Sequence, residues 1–272
     1  MSLTKKIDFA IIIGVKNANP NGDPLNGNRP RTNYDGYGEI SDVCIKRKIR
    51  NRLLDMGEAI LVQSDDYRKD DCRSIKDRYD EAKKAFPKTK SGDELAAAAC
   101  KTWFDVRAFG QVFAGVDDTN ASIAVRGPIS IQSAFSVEPV DVTSLQITKS
   151  LNLKTDKKDP SKKAADTMGM KHRVDKGVYV TFGSVNCQLS EKTGFSDADA
   201  EKLKIAMLRL FENDESSARP AGSMEVMKVI WWTHTGETLS SAKVHKSLVV
   251  GVDGGYTLAE LAGVSVEELD GK

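Results

Sequence analysis

One apolar run near the start of the chain limits the fold more than any other feature. Ile7, Phe9, Ile11, Ile13 and Val15 alternate with Asp8 and Ala10 before the run becomes continuously apolar, as expected of a strand well buried in a sheet. Such a strand needs partners on both sides, and the later segments supply them. Ser41 is a fair N-cap with Asp42 in the first turn, so a helix is expected from about Asp42 to Met56. Position 44 is Cys, so there is no capping box. Ile123, Val125, Ile129, Ile131 and Phe135 describe a long strand interrupted at Gly127-Pro128. Val178 to Leu189 reads as a strand, and Ser196 to Asn213 as a helix with Leu203, Met207, Leu210 and Phe211 at helical spacing. Met224 to Thr233 reads as a strand ending in Trp231-Trp232.

The order strand, helix, strand, strand, helix, strand is that of a ferredoxin-like, split βαβ fold of the α+β class, also used by RNA-recognition modules. A large insertion separates its second and third strands. Before those strands, Leu61 and Val62 are expected to begin a short strand. Asp65 to Lys90 is expected to form an exposed, highly charged helical insertion ending near Pro87, and Asp93 to Trp103 a second short helix. Val137 to Lys176 is the least regular stretch, Lys-rich from Lys154 to Lys163 and punctuated by Pro139 and Pro160. The loop from Asn17 to Gly38 collects six Asn and three Pro with Gly22, Gly27, Gly36 and Gly38. It is too long for a mere connection, so it is expected to be functional or disordered.

The 272 residues carry a net charge of only +1, so overall charge does not mark a nucleic-acid binder. The distribution is more telling. Asn28 to Leu54 holds seven basic against three acidic residues, Thr143 to Gly177 nine against four, and Glu191 to the end nine against fourteen. A basic front and an acidic back would let one copy dock on the next along a polyanion, although a mixed solvated surface gives similar asymmetry. Cys44, Cys72, Cys100 and Cys187 are widely separated and form no Cys-x-x-Cys pair, which argues against a zinc or redox motif. The apolar run at Phe9 to Val15 is short for a signal core, and no span approaches the ~20 apolar residues of a membrane helix. A cytoplasmic location without membrane contact is the resulting expectation.

On the first helix Ile45, Ile49, Leu53 and Met56 form one stripe, while Lys46, Arg47 and Arg50 are expected to project from the far side. Those cations either follow phosphates without reading sequence or form a solvated face. Gly22 and Gly27 permit close backbone approach, and the loop asparagines offer donors to phosphate or sugar. Lys176 to Phe182 echoes an RNA-recognition strand, but Tyr179 and Phe182 fit core packing better than base stacking. Met168 and Met170 sit in a basic segment, where they either wedge between bases or cover an edge of the protein. Asp23, Asp35 and Asp42 could present carboxylates to a metal, but nothing fixes them together. His172, His234 and His245 are not at metal-ligand spacing, so no catalytic residue, metal site or cofactor is assigned.

Six segments together resemble the Cascade backbone subunit of type I-C CRISPR systems, in the RAMP superfamily. They are Asn17 to Pro24, Ser41 to Asn51, Asp105 to Gly110, Arg126 to Pro128, Ile147 to Ser150 and Thr167 to His172. The resemblance implies an RRM-like palm (1–64, 104–136 and 177–250), a helical finger (65–103), a thumb hairpin (137–176) and a C-terminal extension (251–272). It implies a non-enzymatic subunit that lines up head to tail along CRISPR RNA (crRNA) and leaves guide bases free to pair with target DNA. A crRNA-processing endonuclease and a large subunit are its implied companions. Carried over, Lys46, Arg47 and Arg50 would hold the guide backbone, and Asn19, Asn21 and Arg29 would support it. Met168 or Met170 would be the thumb wedge, flanked by Lys149 and Lys171, and His172 in the same basic segment would contact a phosphate or be simply exposed. Type III relatives cut RNA with an aspartate after the first strand, so a metal-dependent ribonuclease using Asp23 or Asp35 is the alternative. A general single-strand-binding protein is a third reading.

Overall fold

The structure is a computed structural model that describes residues 2–84, 86, 92–113, 123–148, 161 and 168–272. Its centre is an eight-stranded antiparallel sheet. The strands are β1 (Ile7–Ala18), β2 (Tyr37–Ile40), β3 (Ile129–Ile131), β4 (Ala134–Pro139), β5 (Val142–Thr148), β6 (Met168–Val185), β7 (Met224–His234) and β8 (Val264–Asp270). The path runs β8-β7-β1-β6-β4-β2, with β3 and β5 also paired to β6. β1 is therefore central, bonded to β6 from Ile7↔Val185 to Ala18↔Val174 and to β7 from Ile7↔Thr233 onward.

Both faces of β1 are covered, which is why its apolar run becomes continuous. On one face Phe9, Ile11, Ile13 and Val15 pack with α1 (Asp42–Asp55) and with a later helix, residues 197–208, through Ile45, Ile49, Leu53, Leu203 and Met207. Phe9 stacks on Trp231 with ring centroids 5.9 Å apart. On the other face Ala10, Ile230 and Trp232 meet a C-terminal lobe through Val244 and Leu248.

The insertion after α1 holds α2 (Ile75–Lys83), α3 (Gly92–Thr102) and α4 (Phe104–Phe109). It has a hydrophobic cluster of its own, with Leu61, Tyr79, Leu95, Trp103, Val106 and Phe113 at its centre. Leu61 and Val62 do not start a strand; their amides donate to the buried Asp105 carboxylate instead. The expected long strand is divided at Gly127. Ile123–Arg126 pairs with Gly110–Phe113 in a separate ribbon, whereas β3 and β4 join the central sheet. Gly110 has φ 80° and lies against the Val125 carbonyl, a place no side chain could occupy.

After the sheet's longest strand come α5 (Cys187–Thr193), α6 (Asp197–Leu208) and α7 (Ser241–His245). The strand expected to run from Val178 to Leu189 begins ten residues earlier and stops at Val185, because Asn186 caps α5 by accepting from Leu189 N at 3.0 Å. The expected helix from Ser196 ends at Leu208, and its start carries a full capping box between Ser196 and Asp199. The acidic C-terminal segment forms an edge strand, β8, along β7. Among the described residues no helix is long and apolar enough to cross a membrane.

Candidate nucleic-acid interface

The asparagine loop is folded, and its side chains do structural work. Asn21 Oδ1 accepts from both the Ser41 amide (2.9 Å) and the Ser41 hydroxyl (2.8 Å), fastening the loop to the start of α1. Asn19 is only 3% exposed and donates through Nδ2 to the Asn28 carbonyl at 2.7 Å. This buried amide braces the loop through Nδ2, while its Oδ1 has no hydrogen-bond partner among the described residues. Asn28 follows Gly27 in the left-handed region, φ 59° and 58°, which turns the ribbon of Gly22–Asp23 and Arg29–Pro30. Arg29 is half-buried and has no ion pair among the described residues, so it is available to a ligand.

The cations of α1 do not form one outward face. Arg50 Nε donates to Asp105 at 3.0 Å, its guanidinium lies 5.0 Å from the Phe109 ring, and its side chain is 14% exposed. Asp105 is itself buried and accepts from the Leu61 and Val62 amides at 2.8 and 3.0 Å. In this structure Arg50 is a structural cation, tied to Asp105 rather than presented on an open face. Lys48 and Arg52 are likewise turned inward, Lys48 onto Asp214 and Arg52 onto Asp55 and Glu212. Burial lowers the Lys48 ammonium from its ordinary value, and Asp214 opposes that shift. Lys46 and Arg47 remain at the surface, paired with Asp42 (2.9 Å) and Asp66 (3.0 Å). A groove of about 460 Å³ opens beside them, lined by Asn21, Ser41, Arg47, Lys48, Asn51 and Arg219 among others.

These geometries separate two kinds of cation experimentally. Arg50→Ala is expected to cost roughly 2 kcal/mol of stability by urea denaturation, because it leaves the Asp105 charge buried with only its two amide donors. Lys46→Ala/Arg47→Ala should change stability by no more than about 0.5 kcal/mol, since exposed pairs contribute little. That double variant should instead flatten the salt dependence of RNA binding, measured by filter retention across a salt series.

The stretch expected to be irregular is a two-stranded arm. Met168 to Val174 of β6 pairs with Val142 to Thr148 of β5 in continuous register. Val142 and Val174 root it in the main core. Beyond them the arm is exposed, with Met168 66%, Met170 56%, Ile147 47% and Leu145 41% accessible. Met168, Met170 and His172 share one face with Gln146 and Ser144, while Lys171 lies on the other face with Leu145 and Ile147. His172 Nδ1 is 2.9 Å from Ser144 Oγ. Lys149 and most of the Lys154–Lys163 stretch lie outside the described residues.

Tyr179 is buried in the main core and Phe182 stacks on His245 at 4.8 Å, so neither ring is a free platform for bases. Asp23 caps a short turn by accepting from Leu25 N at 3.2 Å and faces Arg31 at 3.5 Å. Asp35 is exposed in a turn organised by Asn33. Among the described residues no three His, Cys, Asp or Glu side chains gather as a metal site.

A buried polar cluster escaped the sequence reading. Asp8, fully buried in β1, faces His234 Nε2 at 2.8 Å, Lys6 Nζ at 3.1 Å and His245 Nε2 at 3.2 Å. Leu239 N donates to His234 Nδ1 at 3.4 Å, which makes Nε2–H the donor to Asp8. Its signal in the sequence was an acid inside an otherwise apolar strand, a position that demands buried partners.

A broad antiparallel sheet backed by two helices, with an insertion and a projecting arm, places the chain in a fold class found in RNA-guided assemblies. A chain from a solved "CRISPR RNA-guided surveillance complex, pre-nicking" superposes on it with a TM-score of 0.53 and 18% identity, covering 92% of this chain and 84% of that one. Residues 5–258 match the family described as CRISPR-associated protein Cas7, and the chain belongs to that family. A relative from Haloferax volcanii, named CRISPR-associated protein Cas7, is 27% identical over 237 residues, 82% of this chain and 68% of its own length.

Proposed function

We propose that this chain is the repeating backbone subunit of a CRISPR RNA-guided surveillance complex, of the type I-C kind. It holds the sugar-phosphate strand of crRNA, adds copies head to tail along it and presents the intervening bases to target DNA. Its function is structural, without catalysis, cofactor or resident metal, in a cytoplasmic particle shared with a processing endonuclease and a large subunit. The strand order β7-β1-β6-β4 and the two helices on one face support a ferredoxin-like palm, with α2 and α3 as finger and the β5–β6 arm as thumb.

The observation that carries this reading is the arm. It exposes apolar side chains on both faces, Met168 and Met170 on one and Leu145 and Ile147 on the other. An exposed apolar ribbon of this kind calls for a partner on each side. In the proposed filament one side meets a neighbouring copy and the other meets the displaced base.

The test is to incubate the purified chain with a labelled guide-like RNA and magnesium, following particle size by light scattering and RNA length on a gel. Particles that grow with RNA length while the RNA stays intact are the expected result. Shortening of the RNA that is abolished by Asp23→Ala or Asp35→Ala would instead establish the nuclease. Small complexes of fixed size would establish a general single-strand binder.

A further inference from the structure

Lys16 on β1 and Lys176 on β6 are direct cross-strand partners on the sheet face opposite α1 and α6. Both are exposed, and among the described residues neither side chain has a hydrogen bond or ion pair. Like charges placed opposite one another in a ladder destabilise it, so the pair gains nothing for the fold. The same face continues to Gly14 and its partner Glu225, whose side chain lies across the glycine. A Cβ at Gly14 would come within 3.2 Å of Glu225 Oε1.

A trough of about 250 Å³ opens at this point, with Lys16, Lys176, Ser223, Glu225 and Asp253 among its lining residues. Ser223 is 9% exposed, and its buried hydroxyl has no hydrogen-bond partner among the described residues. Its carbonyl accepts from the Lys16 amide at 2.8 Å, which ties this side of the trough to β1. Asp253, also on the lining, accepts from Gly255 N at 2.9 Å within its own turn.

We propose that this trough is a ribose-phosphate subsite for one nucleotide of single-stranded RNA, a reading that rests on the RNA-binding function above. The Lys16 and Lys176 ammonium groups hold the phosphate, whose charge turns their mutual repulsion into a bridge. Glu225 makes a bare anion a poor ligand but accepts readily from a hydroxyl beside the phosphate, and the ribose 2′-hydroxyl meets that requirement. The subsite therefore favours RNA over DNA without reading sequence.

The test uses the full chain and labelled RNA and DNA of one sequence and length, with anisotropy recorded over a salt series. Lys16→Gln/Lys176→Gln should weaken RNA binding about tenfold and reduce the slope of log affinity against log salt by about 0.7, one phosphate contact on a single strand. Without RNA the same variant should melt no lower than the wild type, because a like-charge pair has been removed. Glu225→Ala should bring RNA and DNA affinities together. If the wild type binds RNA and the double lysine variant matches its affinity and slope, the subsite is refuted while the RNA-binding reading stands. A double variant that melts well below the wild type makes the lysines structural and also overturns the proposal. A wild type that binds no RNA removes the function and the subsite together.

Discussion

Asp8→Ala is expected to lower the unfolding free energy by about 3–5 kcal/mol, since removing one member of a buried charge cluster strands the others. Asp8 joins three parts of the chain that are remote in sequence: Lys6 beside it on the entry to β1, His234 at the end of β7 and His245 on α7. It lies where the C-terminal lobe closes over the sheet, next to Ala10, Trp232 and Val244. Its loss should therefore loosen the lobe first, seen as faster amide exchange in 241–258 before global unfolding.

The same cluster gives the stability a pH signature. Burial pushes the Asp8 carboxyl up, but the surrounding His245, Ser241, His234 and Lys6 side chains outweigh it and hold the carboxyl well below the usual range. The unfolded chain, with Asp near ~3.9, then takes up this proton before the folded chain does. The contribution is fully present above that value and is lost progressively as the pH falls below it. Urea midpoints of wild type and Asp8→Asn should be far apart at pH 7 and converge as the pH drops from about 4 toward 2. A gap that stays constant over that range would show that the Asp8 charge does not stabilise the fold.

Asp8 also shows what the sequence could and could not disclose. Period-two alternation located β1 and β7 closely, because both are long and flanked by polar residues. The N-cap at Ser41 located α1 to within a residue. Partner choice was less legible. The strand written across Gly127 was divided between two sheets, since periodicity reports a face without saying which strand lies opposite. Periodicity did not disclose the arm's strands, because its residues are exposed on both faces and leave no alternation between apolar and polar to detect; the hairpin was implied there by the resemblance alone.

The partners of the α1 cations were hidden for a related reason. A helical wheel places Arg50 away from the apolar stripe, but it cannot anticipate that α4 would bring Asp105 and Phe109 against that side. Nor could it show that the loop at 212–214 would draw Lys48 and Arg52 inward. The segment Asp105 to Gly110, part of the resemblance, proves to be a brace. Asp105 ties α1, and Arg107 ties the start of α6 through Asp199 at 2.8 Å. Lys16 and Lys176 were invisible as a pair because 160 residues separate them and only the ladder sets them opposite one another.

Met168→Asp/Met170→Asp should abolish growth of the particle on RNA while leaving the isolated chain as stable as before. Both side chains are more than half exposed and rest on little of their own protein, so the change in unfolding free energy should stay within about 0.5 kcal/mol. Assembly is another matter. In a filament each methionine would be buried against a base or a neighbouring copy, and a carboxylate there must be desolvated and set close to phosphate. Two central interface side chains contribute about 2 kcal/mol or more each when they are anchors, so the joint loss should exceed ~100-fold in assembly affinity. Met168→Leu/Met170→Leu keeps the apolar tips and should assemble nearly as well as the wild type. Leu145→Ser/Ile147→Ser tests the opposite face of the same arm. If that pair alone blocks growth and the aspartate pair does not, then the arm docks through its leucine–isoleucine face and the methionines are not the wedge.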